Sequence, residues 1–283
     1  MLTAAVRNGW TRCRLLLQPV ATGIRQLSEK RCATTAAQQN WQARVDLAAA
    51  YRALDQLGYN EGICNHLSLM TPSADGSGAE LMLLVPYGLH WSRVRASDLV
   101  GLDAAGRVVE GNGRAETSAA TIHRPLHEAR PEAKAVFHLH SPYATALSCL
   151  QDSRLRMVHQ NCLYFLSSIA YDLDYSGVSV QDSEGARLAS CLAPDKTCLM
   201  MANHGYLVLA GTAAMAFHYS YYLERCAMYQ LLAMQTGREL KELDPAFAKA
   251  AQQDMLKFAE RDGEQFFRAV QQKLRDEGSD FDK

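Results

Sequence analysis

The fold is decided by the stretch Ala135-Val-Phe-His-Leu-His140, which a Ser-Pro pair brings to an end. Its residues predict a β-strand, in which successive side chains point to opposite faces of the sheet. His138 and His140 then share one face. The other face, toward the core, carries Phe137 and Leu139. Two imidazoles placed in this way lie about 6–7 Å apart, which is close enough to bind one metal ion.

A third histidine stands at the end of another predicted strand. Asn203-His-Gly205 terminates the apolar run Leu199–Ala202, and the glycine allows a sharp backbone turn beside His204. Three imidazoles at strand ends match a catalytic metal site that keeps one position for water or substrate. Neutral imidazole nitrogen suits both zinc and ferrous iron. Because structural histidines would give the same pattern, the set His138, His140 and His204 is a hypothesis here.

The remaining histidines offer one competing pair. His123 and His127 are four residues apart on a predicted helix and could also bind one metal, but Pro125 between them disturbs the geometry. We interpret this pair as one partly buried and one surface histidine. The other four are interpreted as structural, with His159 the best placed for a pocket: His66, His90, His159 and His218.

From residue 40 onward, helical and strand patterns alternate, which predicts a layered α/β domain. Hairpin signals indicate that its sheet is at least partly antiparallel. Helices are predicted over 42–57, 119–130, 142–150, 183–193 and 213–236, and strands near 63–69, 81–85, 99–101, 107–110, 135–140, 168–171 and 197–202. We expect one domain over 36–240 and a helical tail over 241–283, with Phe247, Phe258, Phe266 and Phe267 on its buried faces.

The net charge of −1 hides an asymmetric N-terminus. Residues 1–32 contain six basic residues and one acidic residue, a net charge of +5, so the remainder carries −6. A basic segment with an apolar helix face is typical of a mitochondrial transit peptide, and an ordinary helical arm is the alternative. We therefore treat residues 1–35 as a leader or disordered arm. Localisation is expected to be mitochondrial, or cytoplasmic if the segment is an arm.

Composition excludes several classes of protein. Hydrophobic residues make up 48% of the chain, which predicts a folded core, and no long apolar run predicts a membrane span. The acidic body argues against nucleic acid as a partner. No Gly-x-Ser-x-Gly, Gly-x-Gly-x-x-Gly or P-loop motif is present, so nucleophilic serine and nucleotide chemistry find no support.

On these residues the sequence resembles the class II aldolases and the adducin head domain. Order and spacing agree from about residue 45 to 232. The matching stretches are Gly62-Ile-Cys-Asn-His-Leu-Ser68, Val85-Pro-Tyr-Gly-Leu89, Ala129 through His140, Asn203-His-Gly205 and Ala216 through Cys226.

The resemblance implies a three-layer α/β/α sandwich with a central mixed, largely antiparallel sheet, plus C-terminal helices. It implies a homotetramer with sites between subunits. It also implies that His138, His140 and His204 bind one divalent metal ion, usually zinc. In the related sugar-phosphate enzymes this ion polarises a carbonyl and stabilises an enediolate during carbon–carbon cleavage.

The chain departs from those enzymes at the acid/base position. Their catalytic Glu lies nineteen residues before the first metal histidine, where this chain has Ala119. The nearest carboxylate is Glu116, a weak candidate catalytic residue if the turn is shifted and otherwise a solvated residue before the helix. Asn65, Gly88, Thr117 and Ser118 fall at phosphate-pocket positions and are the expected substrate-binding residues.

Two bulky residues stand where the sugar-phosphate enzymes have smaller ones. Cys64 replaces a usual Gly and Tyr87 a usual Thr, which indicates a different substrate, or one without phosphate. These departures resemble the adducin-like branch of the family more than the sugar-phosphate aldolases.

Three functions follow from the resemblance. The first is a divalent-metal-dependent lyase, of aldolase or decarboxylase type, that acts on a small carbonyl or sugar-acid substrate through an enediolate-like intermediate. The second is a non-catalytic adducin-like binding module, although the short tail of mixed charge argues against actin or spectrin as partners. The third is a non-haem iron oxygenase or decarboxylase on the same fold.

The leader hypothesis predicts where a fusion protein goes. Residues 1–35 joined to a fluorescent reporter are expected to enter mitochondria, because a basic amphipathic segment is the import signal. Microscopy with a matrix marker measures this, and the same segment with its arginines changed to glutamine is the control. A diffuse cytosolic signal from the unaltered fusion would contradict the hypothesis.

Overall fold

A mixed sheet of eight strands forms the centre of the structure, a computed structural model that describes residues 34–174, 177 and 182–283. The strands are β1 His66–Pro72, β2 Glu80–Leu84, β3 Val100–Leu102, β4 Val108–Glu110, β5 Ala135–Leu139, β6 Ile169–Asp172, β7 Cys198–Met201 and β8 Gly205–Ala210. Their order is β4-β3-β2-β1-β5-β8-β7-β6, and only the β6–β7 pair is parallel. The predicted mixed, largely antiparallel sheet is confirmed.

Helices cover both faces of this sheet. They are α1 Ala36–Gln56, α2 Thr117–Ala129, α3 Pro142–Ser148, α4 Asp182–Cys191, α5 Ala213–Met234 and α6 Pro245–Asp276, with short 3₁₀ segments at Trp91–Arg93, Ala96–Asp98 and Gln160–Phe165. Residues of α1, α3, α5 and α6 share one core with Phe137 and Leu139 of β5. Residues of α2 and α4 share another with Val136. Successive side chains of β5 therefore face two different cores, as the predicted sandwich requires.

Helix α2 begins earlier than predicted, and Glu116 caps its N-terminus. It starts at Thr117, and the Glu116 side chain accepts a hydrogen bond from the backbone N–H of Ala119. Glu116 is thus the N-cap rather than a solvated residue ahead of the helix. Ser118, expected before the helix, lies in its first turn.

Pro125 lies inside α2, and the helix runs through it from Thr117 to Ala129. A proline has no N–H, so the carbonyl of Thr121 loses its partner within the helix. Gly185 of α4 packs on this carbonyl so closely that an added Cβ would lie 2.2 Å from the Thr121 oxygen. The absence of a side chain at Gly185 therefore allows the two helices to meet at the proline.

The end of β5 is fixed by a buried carboxylate. Ser141 is the N-cap residue of α3, but its side chain makes no capping bond to the helix. Instead Glu224 of α5 accepts hydrogen bonds from the backbone N–H groups of Tyr143 and Ala144, at 2.8 and 2.7 Å. Ser141 Oγ donates to the same carboxylate at 2.6 Å. This arrangement holds the turn that follows the strand.

The C-terminal segment is one long helix, α6, which packs on α1 and α5 in the same compact unit as the sheet. Phe267 is buried and Phe266 packs against the core, as expected. The expectation of burial was wrong for Phe247 and Phe258, which are 61% and 50% exposed, because they lie on the outer side of the helix.

The predicted leader falls outside the described residues, except Thr34 and Thr35. The Thr35 side chain caps α1, which begins at Ala36 and therefore earlier than predicted. Among the described residues, no helix combines the length and the apolar character needed to cross a bilayer.

The contact between α2 and α4 predicts that Gly185→Ala destabilises the protein. Alanine is the better helix former by about 1 kcal/mol, so any loss reflects the clash with Thr121 and Pro125. We expect the free energy of unfolding to fall by about 1–3 kcal/mol in urea titrations. Gly211→Ala is the control, because a Cβ there would meet nothing closer than 3.9 Å. Equal midpoints for the two variants would refute the packing argument.

Candidate metal centre

Three histidines converge where β5 and the turn between β7 and β8 meet. His138 is the fourth residue of β5, His140 follows that strand, and His204 lies in the turn. Their ring centroids form a nearly equilateral triangle with sides of 4.7, 4.8 and 4.9 Å. One ligand atom from each ring lies within 4.8 Å of the others, so these residues could hold one metal ion. The predicted ligand candidates are therefore brought together.

The turn that presents His204 depends on its two neighbours. Asn203 has a φ of 56°, a left-handed conformation that Asn adopts more readily than most residues. Gly205 cannot be larger, because an added Cβ would lie 2.5 Å from the Leu139 carbonyl oxygen and 2.7 Å from Cδ2 of His140. The glycine thus lets the turn pack directly on the end of β5, which brings His204 to the other two rings.

The hydrogen bonds of His138 and His140 determine which nitrogens face the centre. His138 Nδ1 lies 3.1 Å from the carbonyl oxygen of Tyr206, and His140 Nδ1 lies 2.5 Å from Oε2 of Glu61. Both partners are acceptors, so each Nδ1 carries the proton and each Nε2 presents a lone pair.

These two lone pairs face each other, with the Nε2 atoms only 3.0 Å apart. Two acceptors at this distance repel unless a proton or a metal cation lies between or beside them. A metal ion bound by imidazoles at about 2.0–2.1 Å meets this requirement, and outer partners such as Glu61 and a backbone carbonyl are what metal-bound histidines have. The donor set therefore fits a divalent ion.

Burial keeps the site in the form that binds metal. Burial lowers the pKa of His138 well below its ordinary value, and the neighbouring histidines lower it further. Burial also lowers the pKa of His204 to about 4. At neutral pH both imidazoles are uncharged, so no proton has to be displaced from them before a metal binds.

A cavity of about 440 Å³ opens beside the three histidines. Its wall includes Cys64 and Tyr87, the two bulky residues, and the exposed Tyr87 ring is covered by the guanidinium of Arg114 at 4.3 Å. Glu116 and Ser118 from the start of α2 complete the wall. The volume suits a small organic substrate.

Glu116 is the carboxylate at this wall. Its Oε2 accepts hydrogen bonds from Ser118 Oγ at 2.5 Å and from the N–H of Ala119 at 2.7 Å. Partial burial raises the pKa of Glu116, but these hydrogen bonds outweigh burial and the pKa lies below its usual range. The group is therefore ionised at neutral pH, as a base must be. Ala119 is buried against Met82 and Leu84 and faces away from solvent.

Only one of the four predicted substrate-binding residues lies on the described wall of this cavity. Ser118 is on the cavity wall, whereas Asn65, Gly88 and Thr117 are not among the described residues that form it. Asn65 is buried, and its Oδ1 accepts from the N–H of Glu61 at 2.5 Å. Its Nδ2 has no hydrogen-bond partner within the described part of the chain, which leaves one donor unused.

Sequence reasoning missed two contributors. His66, interpreted as structural, lies on the cavity wall because it pairs in register with His138 across β1 and β5. The alternation of His66 and Ser68 with apolar residues could have indicated this, because it places both polar side chains on one face of the strand. Glu61, the partner of His140, precedes β1 in an irregular segment and carries no such signal.

The interpretation of the competing pair was wrong. His123 and His127 are both buried, at 0% and 6% exposure, because the side of α2 that carries them packs on the sheet. Both rings lie within hydrogen-bond distance of the Ser68 hydroxyl, His123 through Nδ1 at 2.6 Å and His127 through Nε2 at 2.7 Å. His159 caps the 3₁₀ segment 160–165 and stacks on Tyr229, outside the cavity.

Comparison with known proteins agrees with this architecture. The family described as "Class II Aldolase and Adducin N-terminal domain" matches residues 45–231. The chain is 35% identical over 218 residues to a Caulobacter vibrioides protein named "Putative aldolase class 2 protein", covering 77% of this chain and 81% of that one. A solved aldolase II superfamily protein from Pseudomonas syringae has a TM-score of 0.78 and 27% identity, covering 87% of this chain and 96% of that chain.

The adducins are also similar. Alpha-adducin of Rattus norvegicus is 32% identical over 213 residues, which cover 73% of this chain but only 28% of that protein. The family match over residues 45–231 covers more than half of the chain. This chain belongs to the class II aldolase and adducin family, which confirms the resemblance found in its sequence.

Proposed function

We propose that this chain is a divalent-metal-dependent carbon–carbon lyase, of aldolase or decarboxylase type, that acts on a small carbonyl or sugar-acid substrate. The observation that carries the proposal is the pair of facing Nε2 lone pairs of His138 and His140, 3.0 Å apart at the wall of a cavity that also presents Glu116. A cation site and a base in one small cavity are the parts that such a reaction needs.

Each residue has a distinct part in this proposal. His138, His140 and His204 would hold the ion, which supplies Lewis-acid polarisation of the substrate carbonyl when bound. Glu116, ionised and oriented by the start of α2, takes a proton from the substrate and returns it. Ser118, on the cavity wall, binds an anionic group of the substrate. Asn65, expected to share this role, is buried outside that wall.

Glu116 would thus do the work that related enzymes assign to the position of Ala119. Both residues belong to the first turn of α2 and its cap, so a carboxylate three residues earlier still projects from the same end of the helix. Cys64 and Tyr87 narrow the cavity, which favours a substrate smaller than a sugar phosphate.

Zinc is the proposed ion, because three imidazole ligands with an open position suit it. Ferrous iron is bound by the same ligands and would support oxygen chemistry on keto acids instead. The similarity to alpha-adducin favours a second function, a binding module in which the histidines persist without catalysis. We further propose a homotetramer, which rests on the family resemblance alone.

The proposal predicts bound zinc that depends on His138. Elemental analysis of the purified full chain should find nearly one zinc per chain. We expect His138→Ala to lose it, with an affinity decrease beyond the roughly 10–100-fold that loss of an outer partner causes. His159→Ala is the matched control, because His159 lies outside the cavity.

Two other results would favour the alternatives. A folded wild-type protein that takes up no divalent metal would contradict the lyase and support the binding module. Iron in place of zinc, together with oxygen uptake on keto acids, would support the oxygenase.

The role of Glu116 predicts a specific loss of turnover. Glu116→Gln keeps an acceptor for the N–H of Ala119, so the free energy of unfolding should change little. Loss of the base should lower kcat about 100-fold or more, measured on a panel of hydroxy-keto acids and sugar acids. Glu132→Gln, an exposed carboxylate beyond α2, is the control. Unchanged turnover in Glu116→Gln would remove Glu116 from the reaction.

A further inference from the structure

Beneath the candidate metal centre, a series of polar side chains, each within hydrogen-bond distance of the next, runs between α2 and the sheet. The series begins at the cavity wall and ends at a backbone carbonyl behind α2. Only its first two members take part in the function proposed above. The six members, in order, are Glu116, Ser118, His66, His123, Ser68 and His127.

The first half of the series connects the cavity to the interior. Ser118 Oγ lies 2.5 Å from Oε2 of Glu116 and 3.3 Å from Nε2 of His66. The other nitrogen of His66, Nδ1, lies 2.8 Å from Nε2 of His123. His66 therefore uses both ring nitrogens within the series and leaves neither to face the metal centre.

The second half runs through a buried hydroxyl. Ser68 Oγ lies 2.6 Å from Nδ1 of His123 and 2.7 Å from Nε2 of His127. The remaining nitrogen of His127, Nδ1, lies 2.9 Å from the carbonyl oxygen of Ala133. Ser68 and His123 are fully buried. Burying so many polar atoms is costly unless each has a partner, and here each has one.

The carbonyl of Ala133 sets the direction of these hydrogen bonds, because it can only accept. Neutral His127 therefore carries its proton on Nδ1, and its Nε2 accepts from the Ser68 hydroxyl. Ser68 Oγ in turn accepts from Nδ1 of His123, whose Nε2 accepts from Nδ1 of His66. All three imidazoles thus hold their proton on Nδ1.

The state of Glu116 decides whether the series is complete. When Glu116 is protonated, it donates to Ser118, and Ser118 donates to Nε2 of His66. When Glu116 is ionised, Ser118 donates to the carboxylate instead, and no proton lies between Ser118 and His66. The distance of 3.3 Å, the longest of the series, is at this position.

We propose that the series is a proton relay, in which a proton taken up by Glu116 at the cavity passes to His127 and later returns. The inference rests on the proposed function, because a lyase is what would load Glu116 with a proton. Ser68, His123 and His127 then act through Glu116, as positioning residues for its proton.

The transfer conserves atoms and charge. Each member passes its own proton to the next and takes one from the member before it, so every bond to hydrogen that breaks is matched by one that forms. At the start Glu116 is a neutral acid and His127 a neutral imidazole. At the end Glu116 is a carboxylate and His127 an imidazolium that still donates to Ala133. No further reactant is needed.

Both ends bind a proton more weakly than the free side chains do. Burial lowers the pKa of His127 to about 4, and hydrogen bonds from Ser118 and Ala119 lower the pKa of Glu116. A cavity of about 370 Å³ lies beside His127, where the positive charge would form. Its charged lining residues are Glu80, Asp103, Arg124 and Glu128. Lys134, which pairs with Glu80 at 2.9 Å, opposes that charge.

Reversible storage of a proton on His127 suits the proposed reaction. Aldol-type cleavage removes a proton from a substrate hydroxyl and afterwards delivers one to carbon. A relay that withdraws the first proton regenerates the Glu116 carboxylate while the intermediate forms. The same proton then returns for the second step.

The test measures proton positions in the resting protein. Zinc-loaded full-length chain labelled with ¹⁵N-histidine is studied by solid-state NMR, which distinguishes Nδ1–H from Nε2–H rings. We expect Nδ1–H for His66, His123 and His127. In Ser68→Ala, His123 loses the acceptor for its Nδ1 proton and should change to Nε2–H. His66, which Ser68 does not touch, should change with it.

Matched variants distinguish the loss of the Ser68 hydrogen bonds from a general packing effect of changing a buried serine. Ser220→Ala is the control, because Ser220 is equally buried and donates to the Ala216 carbonyl outside the series. It should leave all three rings unchanged. Ser68→Thr restores the hydroxyl and should restore the Nδ1–H form. A wild-type His123 found as Nε2–H, or a His66 that keeps its tautomer in Ser68→Ala, would overturn the relay.

Turnover provides the second readout. Ser68→Ala should lower kcat by about tenfold or more while KM stays the same, because the substrate contacts are intact. Wild-type kcat in Ser68→Ala would also overturn the relay. A wild type without lyase turnover that still shows the linked tautomer change would overturn the proposed function alone, since that change is measured without substrate.

Discussion

Two imidazole lone pairs that face each other are the constraint on which the site depends. Tyr206 and Glu61 accept the Nδ1 protons of His138 and His140, and this leaves the Nε2 atoms 3.0 Å apart with no proton for either. A metal cation, or a proton shared between the two nitrogens, relieves that arrangement. The sheet supplies one of the two acceptors as a backbone carbonyl, so the orientation of His138 is part of the strand pairing itself. The orientation of His140 depends on the Glu61 side chain.

The position of β5 explains why the sheet can provide this. β5 lies between β1 and β8, and its register sets His138 opposite His66 on one side and Leu207 on the other. Its alternate residues face two different cores, one of them apolar and one interrupted by polar groups. Polar side chains on the second face must satisfy one another because water does not reach them. The histidines beneath α2 meet this demand in a single connected series.

Helix α2 connects the cavity beside the three histidines with the buried polar series. Its cap, Glu116, reaches the cavity, while the buried side of the helix carries His123 and His127. Pro125 leaves the Thr121 carbonyl without a helical partner, and Gly185 of α4 approaches that carbonyl closely. The replacement of a usual Glu by Ala119 is compatible with this arrangement, because Ala119 packs against β2 and the carboxylate is supplied by the cap instead.

The sequence by itself determined the layered α/β class, the strand Ala135–Leu139 and the placement of His138 and His140 on one face, because a two-residue period is a local property. With the family resemblance it also pointed to His204 as the third member of the set, which the pairing of β5, β7 and β8 brings together. It did not determine that Glu116 caps α2, that His123 and His127 are both buried, or that Glu61 and His66 join the site. Those depend on which strand lies beside β5 and how α2 packs on it, contacts between residues distant in sequence. The tertiary structure decided them, because hydrogen-bond partners of buried groups are chosen by packing.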